Sequence, residues 1–384
     1  MSLKFNSLQT KLIHAGEPEP RVLGAVSMPI FQSSTFEYAG EKGYDAVRYI
    51  RLNNTPNHIA LHKKLAAIEN GEAAIVAASG MAAISTALLT ILKAGDHILA
   101  QDNLYGGTYD FITKDFPNYG IEYDLINANE PGTWKDKLKP NTKAVYVESI
   151  SNPLVEVCDL KSIVKFAKEN NLISLIDNTF ASPYNFRPIE LGFDISLHSA
   201  TKYLNGHTDL VAGAAIGKAD MIEKIVHKLN HLGGTLDPHT CFLLHRGMKT
   251  MVLRMKYQNE SALKIANFLE KHPSVKKVYY PGLESNPSYK NAKELFEGFG
   301  GMMSFELNGG QEAAEKLIAS LELPIHAPSL GGVETLITRP STTSHAGLSK
   351  EEREATGITE GLIRLSIGIE STEDLIEDFT RALK

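Results

Sequence analysis

The chain has 384 residues, 43% hydrophobic and 22% charged, a balance that fits a soluble globular protein of two domains. Its net charge of −6 gives no electrostatic ground for nucleic acid or an anionic membrane as partner. Two cysteines, Cys158 and Cys241, are too few for a disulfide framework and are expected as reduced thiols in a cytoplasmic protein.

The start, MSLKFNSLQTKLIHAG, has no apolar h-region and no cleavage signal. Residues 1–55 are punctuated by Pro and Gly with little periodicity and read as an extended arm. No charge occurs over 73–92, a run long enough to cross a bilayer. Ser79-Gly80 divides it, however, into a buried strand over 73–78 and a helix over 81–93 that stops before Gly95. Strands are predicted at 97–101, 143–148, 172–177, 195–197 and 211–216, with a helix over 160–169. From 240 to 271 the pattern is helical, with an interruption near Gly247. Strands at 275–279, 301–307 and 364–369 and helices at 312–320 and 372–384 follow. This alternation predicts an α/β fold: a mostly parallel sheet covered by helices on both faces, then a smaller α+β domain. The expected divisions are an arm over 1–55, a large domain over 56–250 and a C-terminal domain over 251–384.

In open α/β sheets ligands bind beyond the carboxyl ends of the strands. Four groups fall there. Ser79-Gly80-Met81 opens a helix and offers backbone N–H groups to an anion. Tyr105 lies beyond the 97–101 strand, Asp177 ends another, and Lys202 follows 195–197 in HSATKYLNGH. Singly each has a plain reading: a small-residue turn, a loop aromatic, a capping aspartate, a solvated lysine. Together they describe one pocket with an anion site, an aromatic face, a carboxylate and an amine. Pyridoxal 5′-phosphate needs that set: a lysine for the Schiff base, donors for the phosphate, and a carboxylate beside the ring nitrogen. Ser199 and Thr201 could donate hydroxyl hydrogen bonds to the phosphate. Other motifs fail. No GxxxxGK[ST] occurs, and His58–His62 and His227–His231 lack the Glu of HExxH and a third ligand, so no metal site is expected.

The sequence resembles the cysteine/methionine-metabolism family of pyridoxal-phosphate enzymes, the cystathionine lyases and synthases and methionine γ-lyase. The likeness rests on GAVSMPIFQSSTF, RYIRLNNTPN, ASGMAAI, DNLYGGTYD, VYVESISNPL, IDNTFASPYNFRP, HSATKYLNGH, APSLGGVETL and LIRLSIGIE. It implies the aspartate-aminotransferase-type fold (fold type I) and a homotetramer of two catalytic dimers. It implies Lys202 as the Schiff-base lysine, Asp177 as partner of the ring nitrogen, and Tyr105 stacked on the ring. Gly80, Met81, Ser199 and Thr201 would bind the phosphate, with Tyr49 and Arg51 reaching it from the neighbouring subunit. Asn152 would contact the cofactor's ring oxygen with Glu148 close by, Arg364 would hold the substrate carboxylate, and Ser329 would lie in the substrate loop.

Three departures bear on specificity. Ile50 and Leu52-Asn53-Asn54 stand where the family usually reads Ser and Thr-Gly-Asn. Gly107 replaces the cysteine of methionine γ-lyases, and Pro328 replaces the acidic residue of animal-type γ-lyases. The expected activity is cleavage of L-cystathionine, a small amino-acid substrate, by β- or γ-elimination. The alternative is a γ-synthase that joins cysteine to an O-acylhomoserine. A Schiff-base aldolase would use Lys202 but give Asp177 no role.

Overall fold

The computed structural model describes residues 6–40, 42–43, 46–347 and 349–384. The first sheet contains β1 (Ala73–Ala77), β2 (His97–Gln101), β3 (Glu122–Ile126), β4 (Thr142–Glu148), β5 (Ile173–Asp177), β6 (Ile195–Ser199) and β7 (Gly213–Gly217). Their spatial order is β1-β7-β6-β5-β4-β2-β3. The strands from β3 to β6 pair in parallel, and β7 is antiparallel to both β6 and β1. Both faces are buried, as a parallel sheet requires. Tyr146, Leu175 and Leu197 pack into one core, and Val145, Val147 and Ile176 into the other.

The uncharged run over 73–92 resolves into β1, a turn and the helix Gly80–Ile91. Ser79 starts that helix by accepting the Ala82 N–H at 3.0 Å. Among the described residues, no helix is long and apolar enough to cross a membrane.

Several elements depart from the sequence reading, among them a helix in the arm and a strand at the sheet edge. The arm contains a helix, Leu8–His14, whose Leu12 is buried and whose Leu12 carbonyl accepts from Lys64 Nζ at 2.6 Å. Two turns of helix carry too little periodicity to register against Gly- and Pro-rich surroundings. Strand β3 was not expected either. It forms the edge of the sheet, and EYDLI is only partly buried there, so its pattern is diluted by polar residues.

The helices Pro238–Met248 and Met251–Glu270 are separated at Lys249-Thr250. A second sheet follows, made of β8 (Val275–Tyr279), β9 (Met302–Leu307), β10 (Ile325–His326), β11 (Leu336–Thr338) and β12 (Leu362–Ser366). Its order is β10-β11-β12-β9-β8, so β12 is central and carries Arg364 between Ser304 and Thr338. The two-residue β10 and three-residue β11 are too short to show alternation in sequence. Arg254, on the long helix, ties the two halves: its guanidinium donates to the carbonyls of Tyr203 and Gly247, each at 3.0 Å.

Candidate active site

The carboxyl ends of β4, β5 and β6 deliver Glu148, Asp177 and Ser199 to one edge. Glu148 is the register partner of Asp177, and Asp177 that of Leu197. A cavity of about 670 Å³ lies over them. One wall is the helix start at Ser79, Gly80 and Met81; another is Tyr105; Asn152, Ser329 and Arg364 close the side toward the second sheet. Ser199, Thr201 and Lys202 complete the lining.

Lys202 Nζ donates to Ser329 Oγ at 2.7 Å. Burial, and secondly the charge of Arg364, lower the amine from 10.5 to about 8. Ser329 holds φ +93°, a conformation side chains seldom adopt, which here aims its hydroxyl at the lysine while its carbonyl accepts from Arg364 Nη2 at 3.2 Å. Arg364 Nη1 donates to Asn152 Oδ1 at 3.0 Å. Burial lowers the guanidinium to about 10, so it stays cationic at neutral pH, and both of these bonds go to neutral oxygens. A buried cation so placed is matched to an anionic ligand.

The two carboxylates sit in a different field. Burial raises Glu148 well above its ordinary value, and the Asp177 charge raises it further against the Tyr105 N–H, which donates to Glu148 Oε1 at 2.7 Å. Burial also raises Asp177, opposed by hydrogen bonds from Thr179 and by the His198 charge.

The residues fit pyridoxal phosphate. A methyl on Gly80 would fall 2.8 Å from Ser199 Cβ, so glycine alone leaves that cradle open at a helix N-terminus. The first-turn amides and the Ser199 hydroxyl suit a phosphate, Lys202 suits the aldehyde, and Asp177 suits the ring nitrogen. Thr201 lines the cavity but engages the Ala212 peptide, donating to its carbonyl at 3.2 Å and accepting its N–H at 3.0 Å. Tyr49 and Arg51 stand outside this chain's own cavity lining. Arg51 Nη1 donates to the Asn230 carbonyl at 2.8 Å, with its guanidinium 5.8 Å from the Tyr49 ring centre. Thr179 is a lining residue that sequence reasoning passed over; the signal was available, since an aspartate side chain accepts the backbone N–H two positions on in an Asx turn, and a threonine there can add its hydroxyl to the same oxygen.

A parallel sheet with an amine, a carboxylate and an anion cradle at its carboxyl ends is the plan of the fold type I pyridoxal-phosphate enzymes. The chain belongs to the Cys/Met metabolism PLP-dependent enzyme family, which it matches over residues 9–384. The cystathionine beta-lyase of Bacillus subtilis is 43% identical over 379 residues, covering 98% of this chain and 96% of that one. An L-methionine gamma-lyase of Fusobacterium nucleatum is 43% identical over 398 residues, covering 100% of both. The solved cystathionine gamma synthase of Xanthomonas oryzae, in complex with aminoacrylate and cysteine, superposes with a TM-score of 0.94 at 37% identity, covering 98% and 97% of the two chains.

Proposed function

We propose that this protein is a carbon–sulfur lyase that cleaves L-cystathionine. The observation that carries the reading is one cavity holding both an amine of lowered pKa, Lys202, and a buried cation, Arg364. Arg364 takes the substrate carboxylate through its planar fork. The cofactor, when bound, supplies an electron sink for the charge left at the α carbon. Lys202 removes the α proton, and Ser329 Oγ, already 2.7 Å from its nitrogen, orients it. If the bond broken is at the γ carbon, the same amine must first hand on the α proton, and as a neutral amine again it takes the β proton. Tyr105, at the cavity wall, is placed to protonate the departing sulfur.

A methyl on Gly107 would fall 2.7 Å from Tyr105 Cε1 and 3.3 Å from Met81 Sδ, so a side chain there would move the tyrosine. Gly107 stands where methionine γ-lyases carry a cysteine, and that replacement is what supports cystathionine over methionine as the substrate. The family resemblance extends the reading to a cytoplasmic homotetramer of catalytic dimers; Tyr49 and Arg51, outside this chain's own cavity lining, would serve the neighbour's phosphate site. Leu23 and Val26 of the arm, 103% and 79% exposed, are apolar surface that a second copy would cover.

The test is incubation of the loaded enzyme with L-cystathionine and identification of the keto acid. Pyruvate with homocysteine marks β-elimination, 2-oxobutanoate with cysteine marks γ-elimination, and neither refutes the lyase reading. Similarity to a γ-synthase favours one second reading, tested by supplying cysteine with an O-acylhomoserine and looking for cystathionine.

A further inference from the structure

Thr179 follows the end of β5 and is buried against the cavity. Its hydroxyl has two partners. The Ser199 N–H donates to Thr179 Oγ1 at 2.8 Å, and Thr179 Oγ1 donates to Asp177 Oδ1. The first bond decides the polarity of the second: with the amide proton filling one side of the oxygen, the hydroxyl proton points to the carboxylate. The Thr179 N–H reaches the same Oδ1 at 2.9 Å. Asp177 Oδ1 therefore accepts two donors, and among the described residues no donor is found at Oδ2. One side chain thus joins the strand end that carries Ser199 to the acid that ends the neighbouring strand.

We infer that Thr179 is a positioning residue that saturates Asp177 Oδ1 and so presents Oδ2, ionised and in fixed orientation, to the cofactor's ring nitrogen. The inference rests on the assignment of Asp177 to that nitrogen. Two donors on one oxygen stabilise the anionic carboxylate and oppose the effect of burial. An ionised Asp177 keeps a proton on the ring nitrogen, and a fixed Oδ1 prevents the carboxyl from rotating. Ser199 is tied in as well, so the phosphate cradle and the ring acid keep one mutual geometry.

The experiment reconstitutes wild type, Thr179→Val, Thr179→Ala, Thr179→Ser and Asp177→Asn with cofactor labelled with ¹⁵N at the ring nitrogen. It records the ¹⁵N shift between pH 6 and 9 together with kcat and KM. In wild type and Thr179→Ser the shift should stay at the protonated value. In Thr179→Val and Thr179→Ala it should move toward the unprotonated value, with kcat about ten- to a hundredfold lower and KM little changed, the scale of one hydrogen bond to a charged group. If Asp177→Asn leaves the ring proton in place, the assignment of Asp177 itself fails. If Asp177→Asn loses the proton and both hydroxyl-free variants keep it, Thr179 has no such role. Loss of the proton in Thr179→Ser, which retains the hydroxyl, would overturn the inference equally, and does so even if the valine variant does not fold.

Discussion

Lys202 gives the most direct test of the site. With its amine at about 8, roughly one molecule in ten carries neutral Lys202 at pH 7. An ordinary lysine at 10.5 would give roughly one in three thousand, so the site raises the reactive form about three hundredfold. Stopped-flow uptake of pyridoxal phosphate by the apoprotein, followed by its visible band, reads this out. The log rate should climb with unit slope to about pH 8 and then level, because nearly every amine is neutral beyond that point, whereas that of N-acetyl-lysine amide keeps climbing to about 10.5. Arg364→Gln removes the second of the two causes and leaves the first. The break should therefore move upward but remain below 10.5, since burial contributes more than the guanidinium. A unit slope continuing to pH 10 in wild type would refute the lowered pKa. An unchanged rate in Lys202→Ala would show that another amine is responsible.

Further predictions follow the same geometry. Arg364→Lys keeps the charge but loses the fork; about 1.5–3 kcal/mol for one charge-assisted hydrogen bond corresponds to a drop of about ten- to a hundredfold in kcat/KM with cystathionine. Gly80→Ala drives a methyl against Ser199 Cβ; the cost of about 1–3 kcal/mol should appear as a lower urea midpoint and faster loss of cofactor on dialysis, with the circular dichroism unchanged. Arg51→Ala and Lys202→Ala should each be inactive alone. Mixed under subunit exchange they should regain about a quarter of wild-type activity, because half the dimers are mixed and each mixed dimer has one intact site. No recovery would place Arg51 in its own chain's structure, bonded to Asn230, and not in a neighbour's site.

The cofactor pocket was legible where strand ends and chemistry coincide in short stretches. Asp177 closes LISLID, Ser79-Gly80 divides an apolar run, and Lys202 follows a buried strand, so periodicity alone set them at the same edge of the sheet. The helix in the arm and β3 were not legible, since a short helix and a half-exposed edge strand have weak patterns. One partner of Thr201 was also hidden: the chain entering the return strand brings the Ala212 peptide against its hydroxyl, a meeting no local spacing announces.

The sequence by itself determined the alternation of strands and helices and the groups that the parallel strands carry to their ends, because both follow from local spacing. The tertiary structure alone decided which distant groups join them. Ser329 meets Lys202 from 127 positions away, and Arg364 meets Asn152 from 212. Those meetings depend on β12 lying at the centre of the second sheet and on the long helix that holds the two sheets together, and no local pattern specifies either one. Burial, which lowers the lysine and raises the two acids, exists only once those distant surfaces close over the cavity.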